Sequence, residues 1–140
     1  MQKYIKPTIL GFLVLFTGVY LSKIFDFYNL IPHIDKVYHT IGGYALGWFF
    51  YIFLLKDIET MHTVKKMLLT ISLVCMVAVF WEYAERLSNL YCPTYCPQIS
   101  AWFNGGDLND TLLDILAGMT GGFIFFLLHY KTYNGNHTAL

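Results

Sequence analysis

Long stretches without a charged side chain constrain this sequence more than any other feature. Met67 to Trp81 carries none, and neither does Thr8 to Leu21. A helix needs about 20 mostly apolar residues to cross a bilayer. Four segments meet that need: residues 8–25, 34–55, 67–87 and 110–130. The fold class expected is an all-α membrane protein, a bundle of four transmembrane helices. It fills one domain over residues 1–133, and residues 134–140 follow as a flexible polar tail. The chain is 56% hydrophobic and 13% charged, against roughly 25% charged in an average soluble domain. A water-soluble chain of 140 residues could not hide so much apolar surface. The formal net charge of zero gives no footprint for nucleic acid. The partner expected is the lipid bilayer.

Lys3 and Lys6 precede the first apolar run, as in a signal sequence. Ser22, Lys23, Ile24 and Phe25 follow it without a small-x-small cleavage site. The run is therefore read as a retained anchor that forms the first span. With four spans, Lys3, Lys6, Lys56, Lys65, Lys66 and Lys131 fall on one side. Lys23, Lys36 and Arg86 fall on the other. That bias places both termini in the cytoplasm. Most of the acids collect at the opposite, outer face.

Three polar motifs share that outer depth. Asp35, Lys36 and His39 open the second span after Pro32. Glu82, Glu85 and Arg86 close the third. Asp107, Asp110 and Asp114 open the fourth. Spacings of three and four place the acids of each motif on one helix face. The same faces continue into small residues: Gly42, Gly43 and Gly47; Cys75 and Ala78; Ala117, Gly118 and Gly121. Small residues let membrane helices approach closely, so these faces point inward and carry the acids with them. Ionised carboxylates at this depth are costly. Lys36, Arg86, protonation or a bound cation must offset the cost.

Three readings of the cluster stand side by side. A hydrogen-bonded network could only fix helix register, leaving the protein to act by docking to another membrane protein. An acidic pocket could bind or conduct a polar or cationic ligand, in a homo-oligomer that the glycine faces allow. A metal site could hydrolyse or transfer a lipid-linked head group. In that last reading one divalent metal ion, of the Zn, Mn, Fe or Mg type, is held by His39, Glu82 and Asp114. Asp35 or Glu85 is the catalytic base. Lys36 and Arg86 hold a phosphate, with Asp107 and Asp110 as further ligand-binding residues.

Cys92 and Cys96 lie in the expected loop of about 22 residues between the third and fourth spans, on the oxidising side, and a disulfide between them is expected. Trp102 and Phe103 in the same loop fit an interfacial aromatic belt. His62, His129 and His137 are scattered and expected to be solvated.

Together the motifs resemble the VanZ-like and YjdF-like small inner-membrane proteins. The resemblance rests on Asp35-Lys36-x-x-His39 followed by glycines, Glu82-x-x-Glu85, and Gly106-Asp107-x-x-Asp110-Thr111-x-x-Asp114, in that order over residues 30–125. Thr40 stands where that family usually has phenylalanine. The resemblance implies a multi-pass protein of a bacterial-type cytoplasmic membrane; it implies no particular reaction.

Overall fold

The structure is a computed structural model and describes residues 2–95 and 106–135. Every regular element among them is helical. The N-terminal rod starts as α1 (Gln2–Leu15), widens into a π-helical segment over Phe16–Leu21, and tightens again as α2 (Ser22–Phe25). Asp26 ends it in the left-handed region at φ 57°, a conformation that aspartate's short polar side chain tolerates. A single turn, α3 (Phe27–Leu30), follows. His33, just after Pro32, again turns left-handed at φ 60° and releases α4 (Ile34–Phe53). A short α5 (Leu55–Ile58) leads to α6 (Thr63–Tyr95), and α7 (Leu108–Gly135) closes the described chain.

Three of these stretches are long and apolar enough to cross a membrane: Lys3–Phe25, Thr63–Tyr95 and Leu108–Thr132. Their outward residues suit lipid, as with Phe12, Phe80 and Leu128 at 68%, 65% and 64% exposure. The expectation of four apolar spans departs from this at α4. That helix has 20 residues, enough for a span, but Asp35, Lys36, Tyr38, His39 and Thr40 crowd its first turns. Its position explains the polarity. It packs on α7 most extensively, and on α1 and α6 as well, so its polar groups meet protein.

Glycines set how closely α4 and α7 approach. A Cβ on Gly43 would strike the Gly118 carbonyl, and one on Gly121 would strike the Thr40 carbonyl. A Cβ on Gly47 would sit 3.0 Å from the Gly122 Cα. Backbone therefore lies against backbone along this contact, in the manner of small-xxx-small membrane packing. Farther along the same pair of helices, Tyr51, Phe125 and Phe126 are fully enclosed and, with Ile58, form the apolar core.

Two boundaries differ from expectation. The third helix does not stop at residue 87. Its 33 residues span about 50 Å at 1.5 Å each, well beyond a hydrocarbon layer of ~30 Å. Cys92 thus lies on the last turns of α6 and not in a loop. Pro93 lies inside this last stretch and has no N–H to give to the Asn89 carbonyl one turn back. Asn134 and Gly135, expected at the start of the polar tail, belong to α7. Cys96, Trp102 and Phe103 lie outside the described residues, so the disulfide and the aromatic belt do too.

Candidate functional site

At the Asp35 end of the bundle, the starts of α4 and α7 meet the middle of α6. Each polar motif is delivered by a helix whose neighbouring turns are locked by glycine contacts, so side chains distant in sequence converge. His39 Nε2 lies 3.6 Å from Asp35 Oδ1, 3.7 Å from Glu82 Oε1 and 3.8 Å from Asp114 Oδ1. Asp35 is the i–4 neighbour of His39 on the same helix; the other two carboxylates come from α6 and α7.

Lys36 is the counter-ion at the centre of the acids. Its ammonium donates to Asp110 Oδ1 and to Asp114 Oδ1, both at 2.6 Å, and to Asp35 Oδ2 at 3.4 Å. Its long apolar stem lets the head reach across from α4 to α7. One lysine faces three carboxylates directly. The cluster also holds Glu82 and Glu85, so acids outnumber the cation.

Glu82 is the member with least support. The residue is 6% exposed, and its Oε1 is buried with no hydrogen-bond partner among the described residues. That atom faces His39 beyond hydrogen-bonding distance. A buried carboxylate oxygen without a partner costs on the order of 1–3 kcal/mol or more. Glu85, one turn along α6, accepts a hydrogen bond from Trp81 Nε1 at 2.8 Å and has no cationic partner within ion-pair distance among the described residues.

Two residues singled out in the sequence stand apart. Asp107 is exposed and caps α7, its Oδ1 accepting the Asp110 backbone N–H at 3.0 Å. This carboxylate at a helix N-terminus favours the helix dipole. Arg86 is exposed on α6 and forms no ion pair with a described residue.

The donor set can accept a cation. One oxygen each of Asp35 and Asp114 and one nitrogen of His39 lie within 4.8 Å of one another. A metal with bonds of ~2.1 Å in tetrahedral geometry separates its ligands by roughly 3.4 Å. The observed separations from His39 need to contract by only a few tenths of an ångström.

A cavity of about 260 Å³ adjoins the cluster. Asp35, His39, Glu85, Trp81, Tyr28 and Tyr38 line its polar end. Gly11, Val14, Gly18, Leu46 and Val77 are among the residues along its apolar length. The π-helical turn shapes this wall. It brings Gly18 against the Tyr38 ring, where a Cβ would lie 3.2 Å from Cγ, and frees the Gly18 carbonyl to accept from the Tyr28 hydroxyl at 2.8 Å. Such π-helical turns recur at functional sites. Burial, with Asp35 and Glu85 nearby, pushes the Tyr28 phenol well above its ordinary range, so it remains a neutral donor. The sequence pattern marked the three acidic motifs but not this wall, because one wide turn leaves no periodic signal.

A second polar feature was missed. His129, expected to be solvated, lies nearly parallel to Trp48 and Phe125, at interplanar angles of 5° and 23° and centroid distances of 6.1 and 5.2 Å. Tyr44 Oη lies 2.6 Å from its Nε2. An isolated histidine in an apolar run carries no sign of partners that arrive from another helix.

Comparison with known proteins gives a family and no reaction. A family model described as "Predicted membrane protein (DUF2238)" matches residues 4–135. An "Uncharacterized protein" of Thermotoga maritima is 27% identical over 128 residues, covering 88% of this chain and 63% of that protein. The chain thus spans less than two thirds of that relative's length. No solved structure matches.

Proposed function

The chain belongs to the family of predicted membrane proteins described as DUF2238, and within it we propose a divalent-cation site that acts on the head group of a lipid-linked substrate. Asp35, His39 and Asp114 would hold the ion, three protein ligands being the number common in catalytic zinc sites. The observation that carries this reading is the Glu82 oxygen, buried without a partner and aimed at His39. There it would serve as the general base for a water that a divalent ion would make nucleophilic near neutral pH. The sequence alone suggested Glu82 as a ligand and Asp35 or Glu85 as the base; the donor spacing favours Asp35 as a ligand and Glu82 as the base. Lys36 is engaged by three carboxylates, so its part is to orient Asp35 and Asp114 and not to bind phosphate.

The same proposal takes α4 as the fourth span, with both termini cytoplasmic in a bacterial-type inner membrane, and places the cluster at the outer leaflet. The lysine and arginine bias supports that orientation. The motif resemblance to VanZ-like and YjdF-like proteins supports the membrane assigned.

The distances around Lys36 favour one competing reading, an ion-pair knot that only fastens α4 to α7. Elemental analysis of the purified chain separates the two. The cation reading expects about one equivalent of a divalent metal, lost in His39→Ala and Asp114→Asn with helix content retained. Metal below roughly a tenth of an equivalent, with no binding on titration of Zn²⁺, Mn²⁺ or Mg²⁺, would leave the knot.

A further inference from the structure

The cavity between α1, α4 and α6 has a chemistry of its own. Its long wall is apolar and partly glycine, and α1, its outer side, is the rod with 11% of its apolar window buried in the protein. The cavity therefore borders the surface that faces lipid. At its polar end stands Glu85, a carboxylate with a tryptophan N–H for a partner and no cation paired to it among the described residues. Trp81, Tyr28 and Tyr38 line the same end, and the two tyrosine rings lie 6.5 Å apart at an angle of 63°. Arg86, next to Glu85 in the chain, is exposed and forms no ion pair with a described residue, and Lys36 turns toward Asp110 and Asp114.

We propose that this cavity binds a single-chain amphiphile with an ammonium head. The hydrocarbon chain lies along the Gly11–Gly18 wall, and the head sits between the Glu85 carboxylate and the aromatic rings. Two arguments fix the class of ligand. Aromatic faces beside a carboxylate attract alkylammonium groups by cation–π and Coulomb forces together, whereas an anionic head would be repelled by the Glu85 carboxylate. The volume of about 260 Å³ falls just below the ~300–1,000 Å³ common for small-molecule pockets, so it holds one chain and not a two-chain lipid. The cavity shares Asp35 and His39 with the proposed cation triad, but Glu85, which receives the head, is not one of the three donors.

The test is saturable binding of octyltrimethylammonium to the full chain in maltoside micelles, with octyl sulfate as the anionic counterpart. EDTA is present throughout, so failure of the metal reading leaves the result unaffected. The wild type is expected to bind one octyltrimethylammonium per chain and no octyl sulfate. Glu85→Gln is expected to weaken binding at least tenfold, and Glu85→Asp to recover part of it. Gly11→Leu fills the cavity from α1, where an added Cβ meets nothing within 4 Å; it is expected to fold normally and weaken binding similarly. Absence of saturable binding by the wild type overturns the proposal. So does equal binding of octyl sulfate, or a folded Gly11→Leu protein that binds like the wild type.

Discussion

Replacing Lys36 by methionine keeps the length and apolar stem of the side chain and removes its charge. Three carboxylates lose their counter-ion at once: Asp114 at 4% side-chain exposure, Asp35 at 29% and Asp110 at 39%. Removing one partner of a buried ion pair costs about 3–5 kcal/mol, while pairs near solvent are worth ~1 kcal/mol or less. Asp114 is the one enclosed partner, so the expected loss lies near the lower figure, about 3 kcal/mol. That is a large part of the ~5–15 kcal/mol by which folded domains are ordinarily stable. SDS titration of the purified protein, followed by circular dichroism, reads the loss as an earlier midpoint. Lys56→Met, at an exposed position, serves as the control and is expected to change stability by less than ~0.5 kcal/mol. If Lys36→Met unfolds no earlier than this control, the ammonium does not hold the carboxylates together, and the account of the cluster's electrostatics is refuted.

The α4–α7 contact makes its own demand. Gly121→Ala places a methyl group against the Thr40 carbonyl and is expected to cost ~1–3 kcal/mol or more by overpacking in the same titration, whereas Gly11→Ala, which meets nothing within 4 Å, is expected to be neutral or slightly stabilising. Tyr44→Phe removes the 2.6 Å contact to His129 and is expected to cost about 1 kcal/mol; no change in midpoint would mean that the two helices are held there by ring stacking alone. For orientation, a reporter fused after Tyr130 is expected to read cytoplasmic and one inserted near Thr94 to read exported; the reverse pattern would move the acidic cluster to the cytoplasmic leaflet.

Much of this fold is written in residue pattern. The apolar runs mark α1, α6 and α7, and the glycines that follow Asp35–His39 and Asp110–Asp114 mark the two faces that pack together. The convergence at His39 was legible for the same reason: side chains three and four apart share a face, and a face that continues in glycine points inward. The exceptions have physical causes. The π-helical turn at Phe16–Leu21 arises from local hydrogen bonding and the packing of Gly18 on Tyr38, neither of which has a sequence period. The continuation of α6 through Pro93 runs against proline's usual effect, so residue type alone points to an earlier end. The engagement of Lys36 with α7 was not separable from the alternative use of Arg86, since both lie beside acids in the chain. Only the crossing of α4 over α7 decides between them.

The most direct test of the cation reading is X-ray absorption at the metal edge of protein loaded with one equivalent of Zn²⁺. Coordination by Asp35, His39 and Asp114 predicts nitrogen and oxygen neighbours at about 2.0–2.2 Å with imidazole multiple scattering, and loss of the imidazole signature in His39→Ala. A spectrum of water oxygens alone, or one left unchanged by His39→Ala, would contradict it.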